Sequence, residues 1–316
     1  MPRIVLALGG NALLRRGDPP DERIQVERLG RIAPAIARMA HSWQVIIVHG
    51  NGPQVGLLAT ENQTDRTLAS PYPLSDMVAE TQGLIGGWIQ AALAGEGCAA
   101  TALITHTRVA ADDPAFGSPT KFVGPVCAES EAERLTDRFG WTFHRDGDDW
   151  RRVVPSPEPA EILGLNAAEL LAERGTVVIL AGGGGIPLAI GPGGHPHPVD
   201  AVIDKDLTAA RVAIDLAADR FVIATDVPGV YRDYPGTERE LIHQITPDEL
   251  ESLTLPSGSM GPKAQAACRY VDATGHTAVI AALDHIEEAA RLASGTLVRA
   301  TPTAEQSRPP AGAVHR

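Results

Sequence analysis

Lysine is the charged residue this 316-residue chain has least of. Of its 27 basic residues only Lys121, Lys205 and Lys263 are lysine, and the other 24 are arginine. Cysteine is as scarce: Cys98, Cys127 and Cys268 lie far apart with no C-x-x-C pair, which argues against a disulfide framework and against a cysteine-based zinc site. Such isolated thiols read as small buried hydrophobes in a reducing compartment, so a cytoplasmic location is expected. Aromatic residues make up 4% of a chain that is 44% hydrophobic, so the core must be built from Ala, Val, Ile and Leu. That composition suits parallel strands packed against helices better than a β-sandwich. Net positive charge is missing too. At −12 the chain lacks the broad basic field that a nucleic-acid or membrane-surface partner requires, which leaves small anions held by locally focused cations. The apolar start, "MPRIVLALGGNALL", is too short to span a bilayer and has no small-residue cleavage pattern.

Common signatures are absent as well. Nothing matches the P-loop G-x-x-x-x-G-K-[ST], "GNGPQVG" (50–56) sets its last glycine one residue too far for G-x-G-x-x-G, and G-x-S-x-G does not occur. "GGHPHP" (193–198) has two histidines without acidic or cysteine ligands at zinc spacing and reads as a surface loop; no protein-held metal is expected.

Four apolar runs each open into a glycine-bearing loop: "RIVLALGGN" (3–11), "QVIIVHGNG" (44–52), "TVVILAGGGG" (176–185) and "RFVIATDVPG" (220–229). Helix-length segments stand among them, at 21–40, 74–94, 166–174, 205–218 and 262–273. This alternation predicts parallel βαβ units, with ligands bound beyond the carboxyl ends of the strands. Residues 106–160 break the pattern and read as an excursion with short antiparallel strands. The Pro- and Ala-rich segment 301–316 reads as a flexible tail.

The glycine loops suit an oxyanion, because backbone N–H groups there approach a ligand closely. "LGGNAL" (8–13) supplies Gly9, Gly10 and Asn11; alone it is equally an ordinary strand-to-helix turn. "HGNGPQVG" (49–56) supplies His49, Gly50, Asn51 and Gly52, with Pro53 placed to begin a helix whose free N–H groups attract anions. "AGGGGIPL" (181–188) is harder to dismiss, since four consecutive glycines cost backbone entropy unless something must come close.

The lysines carry more weight. A chain that uses arginine elsewhere keeps an ammonium at "PTKFVGP", "VIDKDL" and "GSMGPK", and a compact point charge is not interchangeable with a guanidinium beside moving phosphoryl oxygens. Asp206 can hold lysines in place or approach Mg²⁺ on nucleotide phosphates, whereas Asp204 reads as the cap of the helix that follows.

Taken in order over residues 3–299, "LGGNAL", "HGNGPQVG", "PTKFVGP", "WRRVVPSP", "AGGGGIPL", "DAVIDKDLTAARVA", "ATDVPGVY" and "GSMGPKAQAA" resemble the carbamate kinases of the amino-acid-kinase family. The resemblance implies a three-layer αβα sandwich around an eight-stranded, mainly parallel sheet with a small projecting subdomain. It also implies a homodimer that uses ATP or ADP with Mg²⁺ and interconverts carbamate and carbamoyl phosphate. Residues 1–190 would form the carbamate lobe, with the subdomain at about 112–160, and residues 191–300 the nucleotide lobe. By the same resemblance Gly9, Gly10, Asn11, Gly50, Asn51, Gly52, Gly183 and Gly184 line the substrate. Lys121 contacts carbamoyl phosphate, Lys205 and Lys263 bridge nucleotide and transferred phosphate, and Asp206 organises them. Asp226, Val227, Tyr231 and Met260 resemble the adenosine pocket, although Pro228 stands where an acidic residue is expected. Two alternatives stand beside this reading. One is a relative acting on another carboxylate or phosphate, which would place a lysine in the first glycine motif, where residues 1–14 have none. The other is a non-catalytic carbamoyl-phosphate or nucleotide binder.

Overall fold

The computed structural model describes residues 1–14, 18–19, 21–191, 193–232, 239–256 and 258–300; the tail expected at 301–316 lies outside the described residues. Eight strands, numbered in chain order, form the main sheet: β1 (Arg3–Leu8), β2 (Gln44–His49), β3 (Ala100–Ala102), β4 (Val177–Ile179), β5 (Arg220–Thr225), β6 (Gln244–Ile245), β7 (Ala278–Ala282) and β8 (Thr296–Val298). Their order is β6-β8-β7-β5-β1-β2-β4-β3. Every pair is parallel except β7 with β8. The four runs singled out in the sequence are therefore the four adjacent central strands β5, β1, β2 and β4. Because they are parallel, their glycine loops leave from the same edge.

Each central strand is buried on both faces, and its side chains alternate between two cores with the period of two that the pleat dictates. Val5, Ala7, Ile46, Val48, Phe221 and Ile223 join one core with helices Leu165–Glu173, Lys205–Asp215 and Met260–Thr274. Ile4, Leu6, Leu8, Val45, Ile47, Val222 and Ala224 join the other with helices Glu22–Ala40, Leu74–Gly95 and Ile286–Ala290. The αβα sandwich follows from this division. Among the described residues no helix is long and apolar enough to cross a membrane.

The excursion at 106–160 divides in two. Strand His106–Val109 pairs in parallel with Ile186–Ile190, inside a second, four-stranded sheet completed by Glu161–Ile162 and Pro196–Pro198. The "GGHPHP" segment read as a surface loop thus contributes an exposed edge strand, as proline tolerates. Strands Lys121–Cys127, Thr142–Asp146 and Asp149–Val154 form a separate antiparallel sheet, accompanied by helix Glu129–Phe139. This projecting unit roots in a third apolar cluster, where Val123 and Val154 meet Val55, Leu74, Met77 and Ile186.

At the amino end of β5 Phe221 is fully buried against Tyr270, with ring centroids 5.4 Å apart. Phe221→Ala is expected to cost about 3–5 kcal/mol of stability by urea unfolding. Michaelis constants of the folded protein should stay unchanged, because the glycine loops lie at the opposite end of the sheet.

Candidate active site

The loops that leave β1, β2 and β4 pack against one another at the carboxyl edge. A Cβ on Gly50 would stand 2.7 Å from the Gly10 backbone nitrogen, so the first two glycine loops touch main chain to main chain. Gly52 opens helix Gly52–Thr64. Its N-cap residue Asn51 leaves the first helical N–H groups uncapped and sends its amide to Thr81 Oγ1 instead, at 2.9 Å. The backbone of Gly9 donates to Ala224 O of β5 at 3.1 Å. The side chain of Asn11 lies outside the described residues.

The run of four glycines has a local explanation. A Cβ at Gly182 would collide with the His49 ring, at Gly183 with the Asn51 amide, at Gly184 with the Ile203 carbonyl and at Gly185 with the Thr107 hydroxyl. Gly183, Gly184 and Gly185 also hold positive φ, and Ala181 before them does so at 48°, an uncommon state for a residue with a side chain. What comes close to Gly183 and Gly184 is thus the chain itself. The Gly184 carbonyl accepts from Thr107 Oγ1 at 2.8 Å and Thr208 Oγ1 at 3.0 Å. Gln82 donates to the carbonyls of Thr105 and Gly182 at 3.0 and 3.1 Å and accepts from Thr105 N at 2.7 Å. Thr81, Gln82, Thr107 and Thr208 were not singled out from sequence. The one signal for the first two was a polar pair interrupting the apolar run "MVAETQGLIGGWI".

All three lysines converge on the start of helix Lys205–Asp215. Lys205 pairs with Asp206 Oδ1, Lys263 Nζ stands 3.2 Å from Asp206 Oδ2, and Lys121 Nζ stands 2.7 Å from Asp204 Oδ2. Asp206 is 3% exposed, and both of its oxygens are taken by ammonium groups. Asp204 caps the helix through the N–H groups of Asp206 and Leu207, as the sequence suggested. The structure corrects that reading by giving it a second task, the anchoring of Lys121 across 83 positions of sequence.

Burial works against both partners. It would raise the Asp204 carboxyl, yet the Lys121 ammonium, with help from Lys205 and Leu207 N–H, holds it down at about 2. Burial also lowers the Lys205 ammonium; Asp206 opposes this and the charge of Lys263 adds to it. Lys205 begins its helix and Lys263 sits in the first turn of Met260–Thr274. Helix dipoles disfavour cations at both places and favour anions. Helix stability therefore does not explain these lysines. Three ammonium groups against two carboxylates leave one positive charge in excess, beside uncapped helix N-termini at Gly52 and Met260.

Asp226 and Val227 leave the carboxyl end of β5 on the same edge, and Tyr231 begins a short hairpin strand paired with Glu240–Leu241. Met260 packs on the first core. Among the described residues no group of three His, Cys, Asp or Glu side chains is placed to hold a metal ion.

His49, 1% exposed, has Nδ1 3.0 Å from the Gly50 carbonyl. Burial first, and then the charge of Lys205, lower its pKa to about 4. With the unfolded value near 6.5, the unfolded chain binds the extra proton between these limits. The stabilisation is complete above about pH 6.5 and is lost as pH falls toward 4. Between pH 7 and pH 5 His49 should remove about 2 kcal/mol of unfolding free energy. His49→Gln should flatten that part of the pH profile in urea titrations; an unaltered profile would show that the ring is not held neutral.

The amino acid kinase family profile matches residues 2–282. The carbamate kinase of Rhizobium meliloti (strain 1021) is 44% identical over 302 residues, which cover 94% of this chain and 93% of that protein. The carbamate kinase of Pyrococcus furiosus is 41% identical over 311 residues, covering 94% and 98%. Among solved structures, carbamate kinase from Giardia lamblia bound to AMP-PNP superposes with a TM-score of 0.87 at 32% identity, over 95% of this chain and 99% of that one.

Proposed function

Because the chain belongs to the carbamate kinases, within the amino-acid-kinase family, we propose that it performs reversible phosphoryl transfer between ATP and carbamate through Lys121, Lys205 and Lys263. The observation that carries this reading is the assembly of all three lysines of the sequence around Asp204 and Asp206.

Phosphoryl transfer is mainly alignment and charge neutralisation, with charge spread over the equatorial oxygens. Carbamate is already an anion whose oxygen attacks directly, so a general base is not required. The protein has to overcome repulsion between two anions within a chain of net charge −12. Lys205 and Lys263 neutralise the nucleotide's terminal phosphates and the transferring group. Lys121 approaches from the projecting sheet toward carbamoyl phosphate. Asp206 keeps the first two ammonium groups together before substrate arrives, so little reorganisation accompanies the reaction. Gly10 and Gly52 offer backbone N–H groups to the acceptor side, while the N–H groups of Gly9 and Gly50 hold their loops to Ala224 O and Leu8 O, and Asp226, Val227, Tyr231 and Met260 border the adenosine. Mg²⁺ bound to the nucleotide phosphates would add charge neutralisation there; both Asp206 oxygens are occupied by lysine, so the metal would be carried by the substrate.

A homodimer completes this reading. Leu57 and Leu84 are 40% and 43% exposed, beside Trp88, on the neighbouring helices Gly52–Thr64 and Leu74–Gly95, an apolar face suited to a second copy. The free cysteines Cys98, Cys127 and Cys268 suit a reducing, cytoplasmic setting.

The decisive assay couples ATP formation from ADP and carbamoyl phosphate, with acetyl phosphate as control donor. Lys205→Ala should lower kcat by about 10²–10³, by analogy with the loss of one preorganised oxyanion donor. Near-normal turnover would remove Lys205 from the mechanism, and activity restricted to acetyl phosphate would overturn carbamate as acceptor. Leu57→Asp with Leu84→Asp should convert a dimer to a monomer in sedimentation experiments, and an unshifted sedimentation coefficient would place the interface elsewhere.

A further inference from the structure

Lys121 is the one lysine that does not sit on the main body, and its place depends on how the projecting sheet is held. It is the first residue of strand Lys121–Cys127 and stands opposite Val154 in register. Two positions along, Val123 stands opposite Arg152. By the alternation of strand side chains, Lys121, Val123, Arg152 and Val154 share one face of this sheet. Val123 and Val154 anchor that face in apolar packing, and the two cations flank the anchor.

Both cations reach the same short segment of the body. Lys121 pairs with Asp204, while Arg152 Nη2 stands 2.8 Å from Asp200 Oδ2. Between them Val202 N donates to the Pro155 carbonyl at 3.0 Å. Asp200 is tied from behind as well, since its Oδ1 accepts from Leu74 N at 3.2 Å. A carboxylate at the first residue of helix Leu74–Gly95 is well placed against the helix dipole. The same helix carries Thr81 and Gln82, which hold Asn51 and the third glycine loop. Arg152 is fixed on its other side by stacking, its guanidinium carbon 3.8 Å from the Trp141 ring centroid, and its side chain is 11% exposed.

We propose that Arg152, through Asp200, is a positioning residue that seats the projecting sheet so that Lys121 reaches carbamoyl phosphate. This rests on the assignment of Lys121 to that substrate. The need for a second tie follows from Lys121 itself. Its ammonium is bound to Asp204 and has to turn toward substrate oxygens in the reaction, so the Lys121 contact weakens when the sheet must be held. The Arg152 pair makes no such exchange. Packing is close at Gly56, where a Cβ would stand 3.4 Å from Gly124 Cα, but incomplete beside it: a crevice with room for about 50 Å³, on the order of one or two waters, lies among Thr60, Gln63, Gly124, Phe143 and Arg152. Lysine cannot replace arginine fully at 152, since the planar guanidinium both stacks on Trp141 and donates to Asp200.

The test is steady-state kinetics in the direction of ATP synthesis, with the KM of each substrate measured separately on Arg152→Gln, Arg152→Lys, Asp200→Asn, the double variant Arg152→Gln/Asp200→Asn, and Lys121→Ala. Arg152→Gln and Asp200→Asn should each raise the KM for carbamoyl phosphate about tenfold, equivalent to about 1.4 kcal/mol, with the KM for ADP changed less than about twofold. The double variant should be no worse than either single one, because both remove the same pair, and Arg152→Lys should recover part of the loss. KM does not depend on the folded fraction of a preparation, so a poorly folding variant still reports, and Arg152→Lys serves where glutamine does not fold. An unchanged KM for carbamoyl phosphate, equal rises for both substrates, or additive effects in the double variant would overturn the proposal. If Lys121→Ala raises that KM and Arg152→Gln does not, the positioning role alone fails. If Lys121→Ala leaves it unchanged, the assignment of Lys121 fails and the positioning role with it.

Discussion

The site depends on two carboxylates at the start of one helix. Asp204 and Asp206 gather ammonium groups from the projecting sheet, from their own helix and from helix Met260–Thr274. Without them three like charges would repel one another in a partly desolvated place, and burial would drive Lys205 toward its neutral form. The helix dipole pays part of this cost by favouring carboxylates in its first turn. The result is a cationic cluster assembled before any ligand arrives, with a single positive charge in excess. A cluster neutralised completely would have little attraction for phosphate, and an unneutralised one would not stay folded.

The surrounding backbone is organised to let this cluster stand at a crowded edge. The four glycines at 182–185 allow His49, Asn51, Ile203 and Thr107 to approach the loop after β4. Ile203 immediately precedes Asp204, so the close contact at Gly184 fixes the entrance to the helix that carries Lys205 and Asp206. Thr107 and Thr208 share the Gly184 carbonyl, and Gln82 holds Gly182. These buried polar groups are satisfied by one another, which makes the loop rigid instead of costly. The entropy lost by ordering four glycines is thus offset within the site's own scaffold.

Much of this was legible in the sequence because it is periodic or local. The central strands β5, β1, β2 and β4 announced themselves as apolar runs with glycine ends, and the long helices around them began and ended within a few residues of their expected limits. The edge strands β3 and β6 and the neighbouring β8, of two or three residues each, carry too few side chains to show a period. At the site, scarcity of lysine pointed to the three cations. The second role of Asp204 was hidden because a local reading shows only the helix it caps, while Lys121 is brought in by the tertiary fold. Arg152 lies in the quoted "WRRVVPSP", yet nothing local marked its role, as one arginine among 24. The glycine run was read as room for a ligand, and the groups that come close to it in the structure, three side chains and the Ile203 carbonyl, come from three other segments.

The division of labour between the two cations explains why only three lysines remain. Each site lysine reaches one oxygen of one carboxylate with a single nitrogen. Such a contact is exchanged for a phosphate oxygen by a small rotation of a flexible stem. Arg3 and Arg108 likewise reach Glu169 and Glu161 with one nitrogen each, but three other arginines that join distant parts of the chain make contacts of another kind. Arg269 holds Glu158 with two nitrogens on two oxygens at 2.6 and 3.0 Å, Arg38 reaches Glu287 with two nitrogens at 2.8 and 3.0 Å, and Arg152 adds a stacked ring to its ion pair. A planar fork is harder to detach one bond at a time, and that suits a permanent tie. In the proposed mechanism lysine stands where a cation must change partners, and Arg38, Arg152 and Arg269 stand where the partner is kept.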